Sequence, residues 1–238
     1  MYNVEKWVGT TIRSALAQTY SDFEAIVIDD MSTDSSYEVV HNLIRDDPRF
    51  TLIKNEEKRY ALENIIRGVK MLSPEDEDVI VTLDGDDWFA NKDVLKTLKG
   101  VYEKKECFIT YGTYLTYPEG RRPWNITEYS ENVVSNADYR KDVWRASHLR
   151  TFKHKLWNKI REEDLLEDDG QTRPAAWDLA FMFPMLEMAG PRSAYIEEIL
   201  YIYNMSNPLN EEKVNHPNLL ASEAKIRNMK KYSLLEEM

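Results

Sequence analysis

The sequence predicts an α/β protein with a doubly wound, mostly parallel sheet, followed by a smaller region of mixed structure. Strand and helix patterns alternate over residues 2 to 105. The apolar run Val79–Leu83 is nearly continuous, as expected of a strand buried on both faces of a parallel sheet. Two such runs end in acidic residues, which is where open α/β sheets bind their ligands.

The first elements follow from hydrophobic periodicity and capping chemistry. A helix is predicted at the start of the chain from apolar residues at helical spacing: Val4, Trp7, Val8, Ile12 and Leu16. Phe23–Ile28 is an apolar run of strand length, and Asp29-Asp30 end it. The small polar residues at 31–36 can cap the next helix, whose apolar positions run from Val39 to Ile44.

The rest of the first half continues this alternation. Pro48 ends the preceding helix, and Phe50–Ile53 is a short strand. Helical periodicity returns at Arg59–Leu72, and the next strand is the apolar run before Asp84. Asn91 is expected to cap a further helix that extends through Tyr102.

The sequence changes character near residue 105. Cys107–Tyr117 is rich in β-branched and aromatic residues and is predicted to be a strand, with a loop at 118–132 after it. The remaining predicted elements are mixed helical structure at 138–160, a buried helix at 176–189, a strand at 194–203 and a terminal helix at 219–235. We expect the two halves, 1–105 and 106–238, to share one sheet rather than form separate domains.

Composition excludes several classes of function. The net charge of −11 argues against a general nucleic-acid binder, because no basic excess is available for phosphates. Cys107 is the single cysteine, so no intrachain disulfide can form and a reducing, cytoplasmic location is expected. No apolar run approaches the ~20 residues that span a bilayer. Peripheral contact with a membrane stays open.

The acidic segment Asp84-Gly85-Asp86-Asp87 is the strongest chemical signal in the chain. Three carboxylates in four residues repel one another, which favours a neutralising cation. Hard oxygen ligands suit Mg²⁺ or Mn²⁺. Asp29-Asp30 ends another strand of the predicted sheet and would meet this segment at the same edge. A solvated acidic turn is the alternative.

The order of these motifs resembles the family 2 glycosyltransferases, which have the GT-A fold. The resemblance rests on YNVEKWVGTTIRSALAQTYSDFEAIVIDDMSTDSS at the start and on LDGDDWF as the DXD motif. It implies inverting transfer of a sugar from a nucleotide-sugar, with UDP-sugars favoured, to a hydroxyl of a glycan or lipid-linked acceptor. Mn²⁺ or Mg²⁺ is the implied cofactor. Residues 1–105 would bind the donor and residues 106–238 the acceptor.

The same resemblance assigns roles by position. Tyr2, Asp30 and Arg59 match residues that contact the nucleotide base. Asp84 would bind the ribose or the metal, and Asp86 would be the principal metal ligand.

A general base is expected at Asp178, which matches the acidic residue at the start of a late helix in the family. Inversion needs a base on the face opposite the leaving nucleotide, and desolvation beside Trp177 would raise the pKa of this carboxylate. The alternative is a residue that only stabilises the helix N-terminus. Glu187 is less favoured as the base, because its helical context suggests packing.

Further residues are candidate contacts to the diphosphate or the acceptor: Asp87, His148, Arg150, Lys153 and Asn207. Cationic side chains would offset the charge of the leaving group, although a solvated basic face would show the same pattern. A lone histidine is more often structural. Asn207 stands near the place where many family members carry a histidine that contacts the metal or the diphosphate.

One departure from the family concerns the start of the chain. Family members begin with an apolar strand just before the Tyr-Asn pair, and no such strand precedes Tyr2 here. We therefore expect either a truncated chain or a start assigned too late, with sheet edges exposed and part of the base pocket missing. A degenerate sugar-binding or scaffold protein and a nucleotidyltransferase are the rival functions.

Overall fold

Strands and helices alternate along the chain, and the predicted α/β class is confirmed. The structure is a computed structural model that describes residues 1–210, 213 and 216–235. The described helices are α1 (Glu5–Leu16), α2 (Ser36–Ile44), α3 (Tyr60–Leu72), α4 (Val94–Lys105), α5 (Glu131–Asn136), α6 (His154–Trp157), α7 (Trp177–Ala189) and α8 (His216–Arg227). The described strands are β1 (Ala25–Asp29), β2 (Phe50–Lys54), β3 (Val79–Val81), β4 (Trp88–Phe89), β5 (Ile109–Tyr117), β6 (Ser147–Lys153) and β7 (Ser193–Asn204).

The described strands form two sheets. β1 and β2 pair in parallel, and the other five have the order β3-β6-β5-β7-β4. In that larger sheet β5 and β7 are parallel, whereas the other three pairs are antiparallel. The larger sheet combines strands from both halves of the chain. The sequence predicts that β1, which ends at Asp29, lies in the same sheet as β3, but β1 belongs to the smaller sheet. Among the described strands, β1 and β2 pair only with each other.

The segment between β3 and β4 crosses the end of the larger sheet, because these two strands lie at opposite edges. Antiparallel pairing with β3 brings the start of β6 to that end, and antiparallel pairing with β4 brings the end of β7 there. Asp84–Asp87 therefore lie above His148 of β6 and Tyr201 of β7.

The main error of the sequence prediction lies at 138–160, where mixed helical structure was expected. The segment contains β6, which lies between β3 and β5 and is almost entirely buried. Burial between two strands overrides the weak helical propensity of this segment. Two helix ends also differ: Asp93 rather than Asn91 precedes α4, and the last helix ends at Arg227 rather than extending to Leu235.

α7 lies in the largest apolar cluster, and its side chains from Leu179 to Ala189 are all buried. A helix that is apolar on every side is stable only when other elements cover it. Its first turn projects from this core toward the carboxyl end of β3, which fixes the position of Asp178. No helix among the described residues is long and apolar enough to cross a bilayer.

Candidate active site

The acidic segment after β3 is held by β7. Tyr201 donates a hydrogen bond from its hydroxyl to Asp87 Oδ2 at 2.7 Å, and the backbone N–H of Asn204 donates to Asp87 Oδ1 at 2.7 Å. Burial, followed by the charge of Asp84, raises the pKa of Asp87 well above its ordinary value. With both oxygens engaged inside the protein, Asp87 anchors the segment to the sheet.

Asp86 and Asn207 meet across the site. The Asn207 amide nitrogen donates to Asp86 Oδ2 at 2.7 Å, and its amide oxygen accepts from the backbone N–H of Leu209 at 2.9 Å. Burial raises the pKa of Asp86, although the bond from Asn207 opposes that effect. Asn207 therefore lies beside the acidic segment. Its amide nitrogen, rather than its amide oxygen, faces the Asp86 carboxylate.

His148 lies beneath the acidic segment, with its ring stacked on Tyr201 at a centroid separation of 4.4 Å. Its Nδ1 is buried and has no hydrogen-bond partner among the described residues. Burial, followed by the charge of Arg150, keeps the pKa of His148 well below its ordinary value, so the ring is neutral. One ligand atom each from Asp84, Asp87 and His148 lie within 4.8 Å of one another. Two carboxylates and a neutral imidazole suit Mn²⁺.

Arg150 joins the two sides of the site. One guanidinium nitrogen lies 3.0 Å from Asp178 Oδ2, and another lies 3.5 Å from Asp84 Oδ2. The Arg150 side chain is only 3% exposed and its guanidinium lies 5.1 Å from the centre of the Trp177 ring. A single buried cation therefore holds the carboxylate at the end of β3 next to the carboxylate at the start of α7.

Asp178 occupies the first turn of α7, where its Oδ1 accepts from the backbone N–H of Leu179 at 3.0 Å. Burial raises the pKa of Asp178, and the Arg150 guanidinium opposes the shift. Its side chain keeps 20% exposure, so one face can be reached from outside. The helix-stabilising interpretation and the base interpretation are thus compatible with the same geometry.

At the other strand end, Asp30 organises the segment before α3. Its carboxylate accepts a hydrogen bond from Asn55 Nδ2 at 2.8 Å. It also accepts from the backbone N–H groups of Arg59 and Tyr60, at 2.8 and 3.0 Å. Lys58 Nζ lies 3.2 Å from the same carboxylate. Lys58 also lies over the half-exposed Tyr2 ring, 3.0 Å from its centre. Lys58 thus contacts both the partly exposed Tyr2 ring and the buried Asp30 carboxylate.

We expect Asp30→Asn to destabilise the protein at neutral pH. Burial alone would raise the pKa of Asp30, but bonds from Asn55 and the Arg59 backbone outweigh it and lower the pKa from 3.8 to about 2. A depressed carboxylate pKa stabilises the fold above pH ~4, and this contribution is lost as the pH falls toward ~2. The expected loss is about 2 kcal/mol, measured by urea unfolding at pH 7. An equal loss at pH 7 and pH 2 would contradict this assignment.

Two predicted side chains are paired with acidic neighbours outside the Asp84–Asp87 segment. Lys153 pairs with Val79 at the beginning of β3, opposite the Asp84 end, and its Nζ lies 2.5 Å from Glu77. The Arg59 guanidinium is paired with Glu57 and Glu63, so its backbone rather than its side chain contacts Asp30. In both cases an acidic neighbour on the surface attracts the cation.

Sequence reasoning missed two participants, Tyr201 and Lys58. The Tyr201 hydroxyl lies 2.7 Å from Asp87 Oδ2 and 3.4 Å from Asp84 Oδ2, but a tyrosine in a strand carries no sequence signal for this role. Lys58 was detectable, because it immediately precedes Arg59 in the segment assigned to the base.

The sequence is similar to those of known glycosyltransferases. The sequence profile described as "Glycosyl transferase family 2" matches residues 1–165. The glycosyltransferase GlyA of Streptococcus pneumoniae is 23% identical over 210 residues, which cover 86% of this chain and 30% of GlyA. The chain spans 30 to 44% of the length of the first curated relatives it matches.

Solved structures share the fold. TarS of S. aureus superposes with a TM-score of 0.66 at 19% identity, over 98% of this chain and 39% of TarS, and it has also been solved with UDP-GlcNAc. The mannosyltransferase PcManGT of Pyrobaculum calidifontis, in complex with GDP-Man and Mn²⁺, gives 0.62 at 15% identity, over 98% of this chain and 64% of that one. With a family match over most of its length and this fold, the chain belongs to glycosyl transferase family 2.

Proposed function

We propose that the chain transfers a sugar from a nucleotide-sugar, with UDP-sugars as the first candidates, to an acceptor hydroxyl of a glycan or lipid-linked saccharide. Family membership supports glycosyl transfer. The complexes of TarS with UDP-GlcNAc and of PcManGT with GDP-Man support a nucleotide-sugar donor. We further propose that the transfer inverts the configuration at the anomeric carbon.

One observation supports the proposal most strongly. The buried Arg150 guanidinium contacts both Asp84 and Asp178. Asp84 lies at the strand end where α/β folds bind nucleotides, and Asp178 begins the helix that faces it. Donor-side and acceptor-side carboxylates are therefore neighbours, as a single displacement reaction needs.

Asp178 is proposed to act as the general base. Its carboxylate would take the proton of the acceptor hydroxyl while that oxygen attacks the anomeric carbon. The bond from the anomeric carbon to the diphosphate breaks on the opposite face, and the nucleoside diphosphate leaves. A carboxylate whose pKa is raised by burial is a stronger base than an exposed one. Arg150 would hold it in position for the acceptor.

The fold family implies a divalent metal, and the residues fit one. Asp84 and Asp86 are proposed as carboxylate ligands, and a ring nitrogen of His148 lies within 4.8 Å of carboxylate oxygens of Asp84 and Asp87. A bound Mn²⁺ or Mg²⁺ would stabilise negative charge on the leaving diphosphate. The PcManGT complex with Mn²⁺ supports this cofactor. On the base side, Tyr2 and Lys58 are proposed to contact the nucleotide.

Two rival functions make different predictions. A degenerate sugar-binding protein would bind a donor or saccharide without turnover, and the retention of Asp84, Asp86 and Asp178 argues against it. A nucleotidyltransferase would need a basic phosphate-binding loop, whereas the basic side chain that contacts Asp84 is Arg150, which lies in strand β6. The family match favours glycosyl transfer.

Asp86→Ala is expected to abolish metal-dependent binding of UDP, because a carboxylate ligand is lost. Isothermal titration calorimetry with UDP and Mn²⁺ measures the effect, and we expect the affinity to fall by at least about tenfold. Asp46→Ala, at an exposed carboxylate on the surface, is the matched control and should bind like the parent chain. Binding of UDP that needs no metal would overturn the assigned role of Asp86.

A further inference from the structure

Four side chains form an aromatic and aliphatic patch directly after the acidic segment. β5, β7 and β4 are neighbours in the larger sheet, and Ile202 of β7 is paired with Leu115 on one side and with Trp88 on the other. Tyr117 follows Leu115 by two residues and therefore lies on the same face of the sheet. The rings of Trp88 and Tyr117 contact each other at a centroid separation of 5.1 Å. We refer to Trp88, Leu115, Tyr117 and Ile202 as the aromatic corner.

The aromatic corner lies on the side of the larger sheet that carries α7. In β7, Tyr195 packs in the apolar cluster of α7, whereas the next residue, Ile196, packs in the cluster of α1. The two helices therefore cover opposite faces of this sheet. Tyr201 and Tyr203 belong to the α1 cluster, so the side chain between them, at position 202, points to the α7 side. Asp178 begins α7, which puts the corner and the proposed base on the same side of the sheet.

Two members of the aromatic corner are tied to the residue that anchors the acidic segment. Trp88 follows Asp87 directly in the chain. Tyr117 is paired with Asn204, whose backbone N–H donates to Asp87 Oδ1 at 2.7 Å. The corner is therefore continuous with the candidate active site, and it borders that site on the side of Asp178.

The exposure and chemistry of the aromatic corner fit a sugar ring. Tyr117 is 45% exposed, and the other three side chains are partly exposed. The two rings meet at 68°, so they form two walls of a corner. The face of an aromatic ring is electron-rich and attracts the positively polarised C–H bonds of a pyranose. The Tyr117 hydroxyl and the Trp88 N–H are groups that hydrogen-bond to sugar hydroxyls. An anionic membrane surface is a poorer match, because the chain carries a net charge of −11.

We propose that the aromatic corner binds a pyranose ring of the acceptor, with the C–H face of the sugar against the rings of Trp88 and Tyr117. This rests on the proposed function and narrows it, because it makes the acceptor a saccharide whose ring presents an open C–H face. The two aromatic side chains would position the acceptor and select it, while Asp178 takes the proton of its hydroxyl. Their loss should therefore weaken acceptor binding and leave donor binding in place.

The test uses the chain labelled with fluorotryptophan, because fluorine NMR then reports each of the six tryptophans separately. The variant Trp88→Phe identifies the Trp88 signal. The probes are cellobiose, lactose and diacetylchitobiose, each titrated with and without UDP and Mn²⁺. Tyr117→Leu removes one ring of the corner, whereas Tyr117→Phe keeps it. Tyr37→Leu changes a partly exposed aromatic residue on α2 and is the control.

We expect at least one disaccharide to shift the Trp88 signal, and its Kd to rise by at least about fivefold in Tyr117→Leu. Tyr117→Phe and Tyr37→Leu should bind within about threefold of the parent chain. Binding is measured without turnover, so a chain that releases nucleoside diphosphate from no donor would refute the proposed function and leave this result standing. A Trp88 signal that no disaccharide shifts, or equal Kd values for Tyr117→Leu and the parent chain, would overturn the proposal. A Trp88 signal that responds only to phosphatidylcholine vesicles would assign the corner to a lipid and also overturn it.

Discussion

Asp178→Asn is expected to lower kcat for sugar transfer by about 10²- to 10⁴-fold with little change in fold, which is the usual effect of removing a general base. The amide keeps the size of the carboxylate and can still accept from Leu179, but it cannot take the acceptor proton. Steady-state kinetics with a donor and a saccharide acceptor measure the effect. Donor affinity should change much less, because Asp178 lies on the acceptor side.

The control for this variant is Asp168→Asn, which changes a carboxylate that is 97% exposed. It should retain parental kcat. The pH dependence adds a second readout: burial raises the pKa of Asp178, so kcat should fall as the pH drops through a value above the ordinary 3.8. An Asp178→Asn enzyme that is folded and retains full turnover would show that another group is the base.

The second large effect is expected on stability, at the buried pair of Arg140 and Glu187. The two side chains are joined by bonds of 2.6 and 3.0 Å and are 7% and 0% exposed. Arg140 also donates to the C=O of Ile226, and Glu187 accepts from the backbone N–H of Tyr232. The pair thus connects α7 to the C-terminal segment, as the packing interpretation of Glu187 predicts.

Arg140→Met is expected to lower the free energy of unfolding by about 3–5 kcal/mol, because it leaves the Glu187 carboxylate buried without its partner. Urea unfolding monitored by tryptophan fluorescence measures the change. The double variant Arg140→Met with Glu187→Leu is the control and should recover most of the loss, since neither charge remains buried. A single variant as stable as the parent chain would contradict the assignment.

The sequence predicts most elements of the first half, because strong periodicity and strand-end acids coincide there. The α7 helix is also predicted, from an apolar run that no surface helix would carry. β6 is missed because its basic residues resemble an exposed segment, and only the neighbouring strands show that Arg150 is buried.

In the candidate site too, some features can be predicted from the sequence and others cannot. Asp30, Asp84 and Asp86 follow strands that the sequence pattern predicts, so their positions just after strand ends are predictable. The contacts of Arg150 with Asp84 and Asp178 are not, because these three residues are separated by 28 to 94 positions along the chain and meet only through the order of strands. The contact of Tyr201 with Asp87 cannot be predicted from the sequence for the same reason.

Release of nucleoside diphosphate from a set of UDP-, GDP- and dTDP-sugars tests the central claim most directly. The chain is incubated with each donor and Mn²⁺, with and without a saccharide acceptor, alongside Asp86→Ala. We predict release from at least one donor, with UDP-sugars first, and its loss in Asp86→Ala. No release from any donor, with or without acceptor, would contradict glycosyl transfer by this chain and favour a scaffold or sugar-binding role.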